Sequence, residues 1–121
     1  MRYLVSLVSM VVVFAVAGGC QRSEPISQSL MHQVLGALQI PDRTERDSAL
    51  ATACRECAAA ADAESVFLGI PRIEEQKLRD EVIRDCVATF VAASRMEVAR
   101  RLVDLITDRT LRDSVRSTLP T

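Results

Sequence analysis

Apolar residues recur at helical spacing through most of the chain, and the pattern begins again every 33 residues. Leu30, Met31, Val34, Leu35 and Leu38 form a first stripe, with His32, Gln33 and Gln39 on the opposite face and Pro41 closing the segment. A longer stripe follows at Ala49, Leu50, Ala53, Cys54, Cys57, Ala58 and Ala61, broken at Asp62. Val66, Phe67 and Ile70 then mark a shorter helix ended by Gly69 and Pro71. The long helix returns with Leu78, Val82, Ile83, Cys86, Val87, Phe90 and Val91, and Ser94-Arg95 marks a turn. Val98, Ala99, Leu102, Val103 and Leu105 line a second short helix. Leu111, Val115 and Leu119 face inward from a last one, ended by Pro120.

One charged signature keeps this register. Ile-x-x-x-x-x-Arg-Asp begins at Ile40, Ile73 and Ile106, each copy 33 residues after the last. A fixed period of that size predicts stacked supersecondary units. Asp42 occupies an expected helix N-cap with Glu45 three residues on, a capping-box spacing. In each copy an acid precedes the arginine by four, as Asp42 and Arg46, Glu75 and Arg79, Asp108 and Arg112. That orientation favours an ion pair worth about 0.2–0.5 kcal/mol. Asp47, Asp80 and Asp113 are expected to meet an arginine of the neighbouring unit. The structural role accounts for the pairs without a ligand, and the competing reading displays Arg46, Arg79 and Arg112 as a guanidinium ladder to an acidic partner.

The stripes predict an all-α chain, a short right-handed α-solenoid of helical hairpins with about two and a half repeats. Gly36 and Ala37 fall one period before Gly69 and Ile70, so the first segment reads as the second helix of a hairpin whose first helix is missing. Leu50 and Ile83 share a column whose third member is Arg116, as a terminal unit with a polar outer face requires. The long-then-short hairpin over residues 40–121 resembles the tetratricopeptide-type repeats. Ile83, Cys86, Phe90, Ala99 and Val103 fall on that family's hydrophobic positions, while its Trp is missing and Val87 takes the place of its early Gly. The resemblance implies binding of a protein partner along a concave surface.

Composition agrees with helix and bounds the core. Alanine is abundant, Gly and Pro number four each, and four aromatic residues are present among 121. The formal charge is −1 with both signs mixed along the chain, which gives no electrostatic footprint for nucleic acid.

The N-terminus carries an address. Arg2 precedes an apolar and small-residue run over 4–17, then Gly18-Gly19-Cys20. This is the layout of an export signal, too short for a comfortable membrane span. Val16-Ala17-Gly18-Gly19-Cys20 resembles the lipobox of bacterial lipoproteins, with Ala17 where that family usually carries Leu. The resemblance implies removal of 1–19, acylation of Cys20 and a tether over 20–29 ahead of a repeat domain at 30–121. It places the protein in the cell envelope, anchored at the periplasmic face of the outer or inner membrane, and Gln21 after the cysteine points to the outer one.

Cys54, Cys57 and Cys86 then remain, and three readings stay open. They are buried free thiols, one disulfide from Cys86 to Cys54 or Cys57, or a metal or redox site recruiting His32. Cys54-x-x-Cys57 lies within a helix and outside any βαβ unit, and Ala58 stands where haem attachment needs His. With one histidine and no Gly-rich loop, no enzyme constellation forms, and no cofactor is expected. The sequence therefore predicts a non-enzymatic adaptor that binds an unidentified protein or self-associates. The alternatives are a thiol or metal protein of the envelope and a purely structural lipoprotein.

Overall fold

The computed structural model describes residues 26–120, with side chains from residue 29. The expected signal 1–19 and Cys20 lie outside the described residues. The described chain is all-helical, with helix α1 at Ile26–Leu38, α2 at Arg43–Ala59 and α3 at Ala63–Gly69. A 3₁₀ turn at Ile70–Arg72 leads to α4 at Gln76–Ala92, α5 at Met96–Val103 and α6 at Arg109–Thr118. Helix α1 begins at Ile26, so the end of the expected tether is helical. Among the described residues no helix is long and apolar enough to cross a membrane.

Side-chain caps place each start. Asp42 accepts from the Glu45 N–H at 2.9 Å, Glu75 from Leu78, and Asp108 from Leu111 at 3.2 Å. Asp62 opens α3 the same way, accepting from the Ser65 N–H at 3.2 Å. Each cap satisfies a backbone donor that the helix leaves unpaired and contributes about 1 kcal/mol.

The ends of α2 and α4 share one geometry. The Asp62 N–H returns to the Cys57 carbonyl and the Arg95 N–H to the Phe90 carbonyl, closing a Schellman turn on each helix. The residue in the left-handed position is Ala61 (φ 57°) in one and Ser94 (φ 61°) in the other, where glycine is usual. A Cβ there costs about 1–2 kcal/mol. Ala61→Gly and Ser94→Gly are each expected to raise stability by about 0.5–1 kcal/mol, read as a higher urea midpoint at unchanged slope. A loss at both positions would show that the two turns are not strained.

Helix α2 packs against α1, α3 and α4, while α4 packs against α5 and α6 rests on α5. The core runs through the middle of this array and is filled by Leu50, Cys54, Ile70, Ile73, Ile83, Cys86, Phe90, Leu102 and Ile106. Two apolar residues assigned inward by periodicity point out, Leu35 (44 % exposed) and Leu105 (41 % exposed). Leu35 follows Val34, which takes the inner position on α1, and Leu105 lies past the end of α5.

Candidate functional site

The recurring Ile…Arg-Asp segments have a geometry that differs from simple ion pairing. Asp47, 3 % exposed, accepts from the backbone N–H groups of Glu74 and Glu75, each at 3.0 Å. Asp80, also 3 % exposed, accepts from Thr107 at 2.9 Å and Asp108 at 3.0 Å. Each carboxylate thus clamps the chain just before the next long helix, binding two successive donors that would otherwise be buried unpaired. The expected meeting of these aspartates with neighbouring arginines is corrected. Both carboxylate oxygens accept from backbone donors, and among the described residues no arginine forms a salt bridge with either aspartate.

The arginines hold the same loops from the other side. Arg46 donates to the Ile40 carbonyl at 3.1 Å and to Glu74 at 3.0 Å. Arg79 donates to the Ile73 carbonyl at 3.0 Å and to the Thr107 hydroxyl at 3.1 Å. Each ties the loop before its own helix to the residue that follows the isoleucine of the next segment. The i, i+4 side-chain pairs of Arg46, Arg79 and Arg112 with Asp42, Glu75 and Asp108 do not form: those acids cap their helices, and Arg46 and Arg79 turn to loop carbonyls. Arg46 and Arg79 are each engaged by a backbone carbonyl and by a side chain of the next segment.

The third copy holds no further segment among the described residues. The Asp113 side chain is 63 % exposed, and Arg116 lies 3.9 Å away. Arg112 has its Nε buried without a hydrogen-bond partner among the described residues. The backbone role of the aspartates was missed in the sequence, yet one signal for it was there. All three copies carry Asp and none Glu, as a short side chain reaching two adjacent N–H groups demands.

All three described cysteines are free and buried. The Cys86 thiol points at the Cys54 carbonyl at 3.8 Å and Cys57 at the Leu30 carbonyl at 3.9 Å, so neither sulfur is directed at another. Burial pushes Cys54 and Cys86 up to about 12, helped by the neighbouring Cys86 sulfur at the first and by Asp85 at the second. Cys57 rises to about 11, from burial first and Asp62 second. Thiols so placed are poor nucleophiles. His32 is exposed, and no group of three or more His, Cys, Asp or Glu among the described residues is arranged to hold a metal.

These thiols predict a pH dependence. Unfolded cysteines ionise near 9.0, while the folded ones stay protonated to about 11 or 12. Above pH 9 the unfolded state therefore releases protons that the native state keeps, and stability falls as pH rises through that window; below pH 9 the thiols add no slope. Urea midpoints at pH 8, 9 and 10 are expected to decline above 9, less steeply in Cys86→Ala. An equal decline in that variant would assign the slope to other groups.

The described surface carries at least three open grooves, two of them at α1/α2 and α5/α6. One, about 800 Å³, lies along α1 and α2 and is lined by Gln33, Ala37, Ile40, Glu45, Ala49 and Glu56 among others. The other, about 540 Å³, lies between α5 and α6 at Arg100, Val103, Asp104, Arg116, Leu119 and Pro120. Arg116 is bonded there to Asp104 at 2.9 Å.

No protein-family model, curated protein or solved structure matches this chain.

Proposed function

We propose that this chain is a lipid-anchored protein of the bacterial cell envelope whose helices stack as a short right-handed α-solenoid and serve as a non-enzymatic adaptor for another protein. The observation that carries the adaptor reading is where the charged and sulfur-bearing residues are spent. The buried aspartates clamp backbone, Arg46 and Arg79 hold carbonyls, and the thiols are buried and protonated, so these groups serve the scaffold. The open grooves at α1/α2 and α5/α6 are left for recognition. Support for the 33-residue stack comes from the matching starts of α2, α4 and α6 at Arg43, Gln76 and Arg109, and from the recurrence of the Asp clamp at one offset. The membrane anchor rests on the run that ends in Val16-Ala17-Gly18-Gly19-Cys20.

Thiol counting tests the anchor in one sample. The native protein should leave Cys54, Cys57 and Cys86 unreactive, and the unfolded, reduced protein should show these three, because acylated Cys20 carries no free thiol. A fourth thiol, or metabolic palmitate label that survives Cys20→Ala, defeats the anchor. The adaptor reading is tested by cross-linking in envelopes, where Ser48→Arg, an exposed change on the α1/α2 groove, should remove the partner at unchanged melting temperature.

A further inference from the structure

Helix α2 sorts its charges onto two flanks. Arg43 and Arg46 both turn to Glu74, at 3.1 and 3.0 Å, and Arg55 turns to Asp85 at 2.9 Å. Those contacts lie on the side toward α4 and the loop before it. Glu45 and Glu56 line the groove shared with α1, and neither has an ion pair among the described residues. No described cation lines that groove, whereas Arg100 and Arg116 line the one at α5/α6 and Arg95 the one beside Asp62. We propose that the α1/α2 groove receives a basic amphipathic helix of another protein, whose cationic side chains meet Glu45 and Glu56. This rests on the adaptor reading above and names the chemistry of its partner.

The two glutamates stand eleven residues apart, about 16 Å along three turns of one helix face. Between them the floor is made of small side chains, with Ala37 and Ala53 buried and Ala49 half-buried. Such a floor lets a second helix approach closely, about 8–10 Å between axes. Thr52 spends its hydroxyl proton on the Ser48 carbonyl at 3.2 Å, so toward the groove it offers acceptor lone pairs. The border therefore presents acceptors and negative charge. A lysine or arginine side chain brings donors and the opposite sign.

Ordinary solvation of an exposed face explains two glutamates on α2. It gives no reason for the three arginines nearest to them in sequence to turn the other way. An extended peptide finds no strand edge to pair with among the described residues. An acidic segment would meet Glu45 and Glu56 as like charges. An apolar helix without cations would cover the groove and leave both carboxylates unpaired at its border.

Fluorescence polarisation on the full chain in detergent micelles, with empty micelles subtracted, tests this. The probe is a labelled synthetic helix of alanine and leucine that carries two lysines eleven positions apart. Its binding is expected to weaken with salt, and by at least about tenfold in Kd when Glu45→Gln and Glu56→Gln are combined. The same helix with glutamates in place of the lysines should bind only the chain carrying Glu45→Lys and Glu56→Lys. Both positions are exposed, so the melting temperature should hold in every variant. Equal Kd for the wild type and the paired glutamine variant overturns the proposal, as does self-association of the chain that this variant abolishes. Failure of the adaptor reading looks different: cross-linking in envelopes then yields no partner for the wild type. A cross-linked partner lost in Ser48→Arg but kept in the paired glutamine variant leaves that reading standing and overturns the basic helix.

Discussion

Asp80→Asn is expected to destabilise the protein by about 2–4 kcal/mol, while the same change at Asp113 moves stability by less than about 0.5 kcal/mol. Asp80 is 3 % exposed and receives two N–H groups, Thr107 at 2.9 Å and Asp108 at 3.0 Å. An ionised carboxylate is acceptor-only and can meet both. Asparagine offers one carbonyl oxygen and turns an NH₂ toward the second donor, leaving it buried and unpaired. Such a group costs about 1–3 kcal/mol, and the lost charge-assisted bond adds to it. A domain of this size typically holds about 5–15 kcal/mol in total, so the melting temperature should fall by about 10–25 °C. Asp47→Asn should match it, because Asp47 is equally buried and equally bonded. Asp113 clamps nothing and is 63 % exposed at its side chain. Urea unfolding of the three variants decides the matter, and equal losses at Asp80 and Asp113 would show that the clamp is not what the aspartates are for.

The two glycines that share a place in the period are expected to respond in opposite directions to alanine. A Cβ on Gly69 would lie 2.6 Å from the Cys54 sulfur and 3.3 Å from a Val34 methyl. Gly69 is the point where α3 crosses close to α2 and α1, and both facing atoms are buried, so something must move. Overpacking of this kind costs about 1–3 kcal/mol, which outweighs the helix propensity gained. A Cβ on Gly36 meets nothing within 4 Å. Gly36→Ala therefore gains up to about 1 kcal/mol from the lower backbone entropy of the unfolded chain. The cause is checked by a double-mutant cycle: in a Cys54→Ala background the sulfur is gone, and Gly69→Ala should cost distinctly less. Additive losses would place the strain elsewhere.

The fate of the charged signature shows why some features are legible in a sequence and others are not. Asp42 could be read as a cap because its partner, the Glu45 N–H, lies three residues away. The starts of the long helices followed, as did the turns after Ala59 and Ala92, from periodicity and breakers that act within a few residues. Arg46 looked like a partner for Asp42 because i, i+4 is the nearest opportunity. Its real acceptors are the Ile40 carbonyl behind it and Glu74 in the next segment. Local rules rank near partners first, and here a cap had already claimed the acid. The cysteines make the same point. Neighbouring long helices were expected to bring Cys86 near Cys54, and they do, but its thiol faces the Cys54 carbonyl and not its sulfur.

What the sequence determined by itself was the all-helical class, where the long helices begin, and most of the apolar stripe that each buries. Those follow from interactions spanning at most a turn or so, whose strengths depend on residue type and spacing alone. Tertiary structure decided the rest: Asp47 and Asp80 bind backbone 27 and 28 residues ahead, Gly69 is forbidden a Cβ that Gly36 could take, and the Cys86 thiol meets a carbonyl. Residues one period apart are alike in sequence and differ in neighbours. A carboxylate between two segments is a clamp, and the same carboxylate at the end of the array is open to solvent.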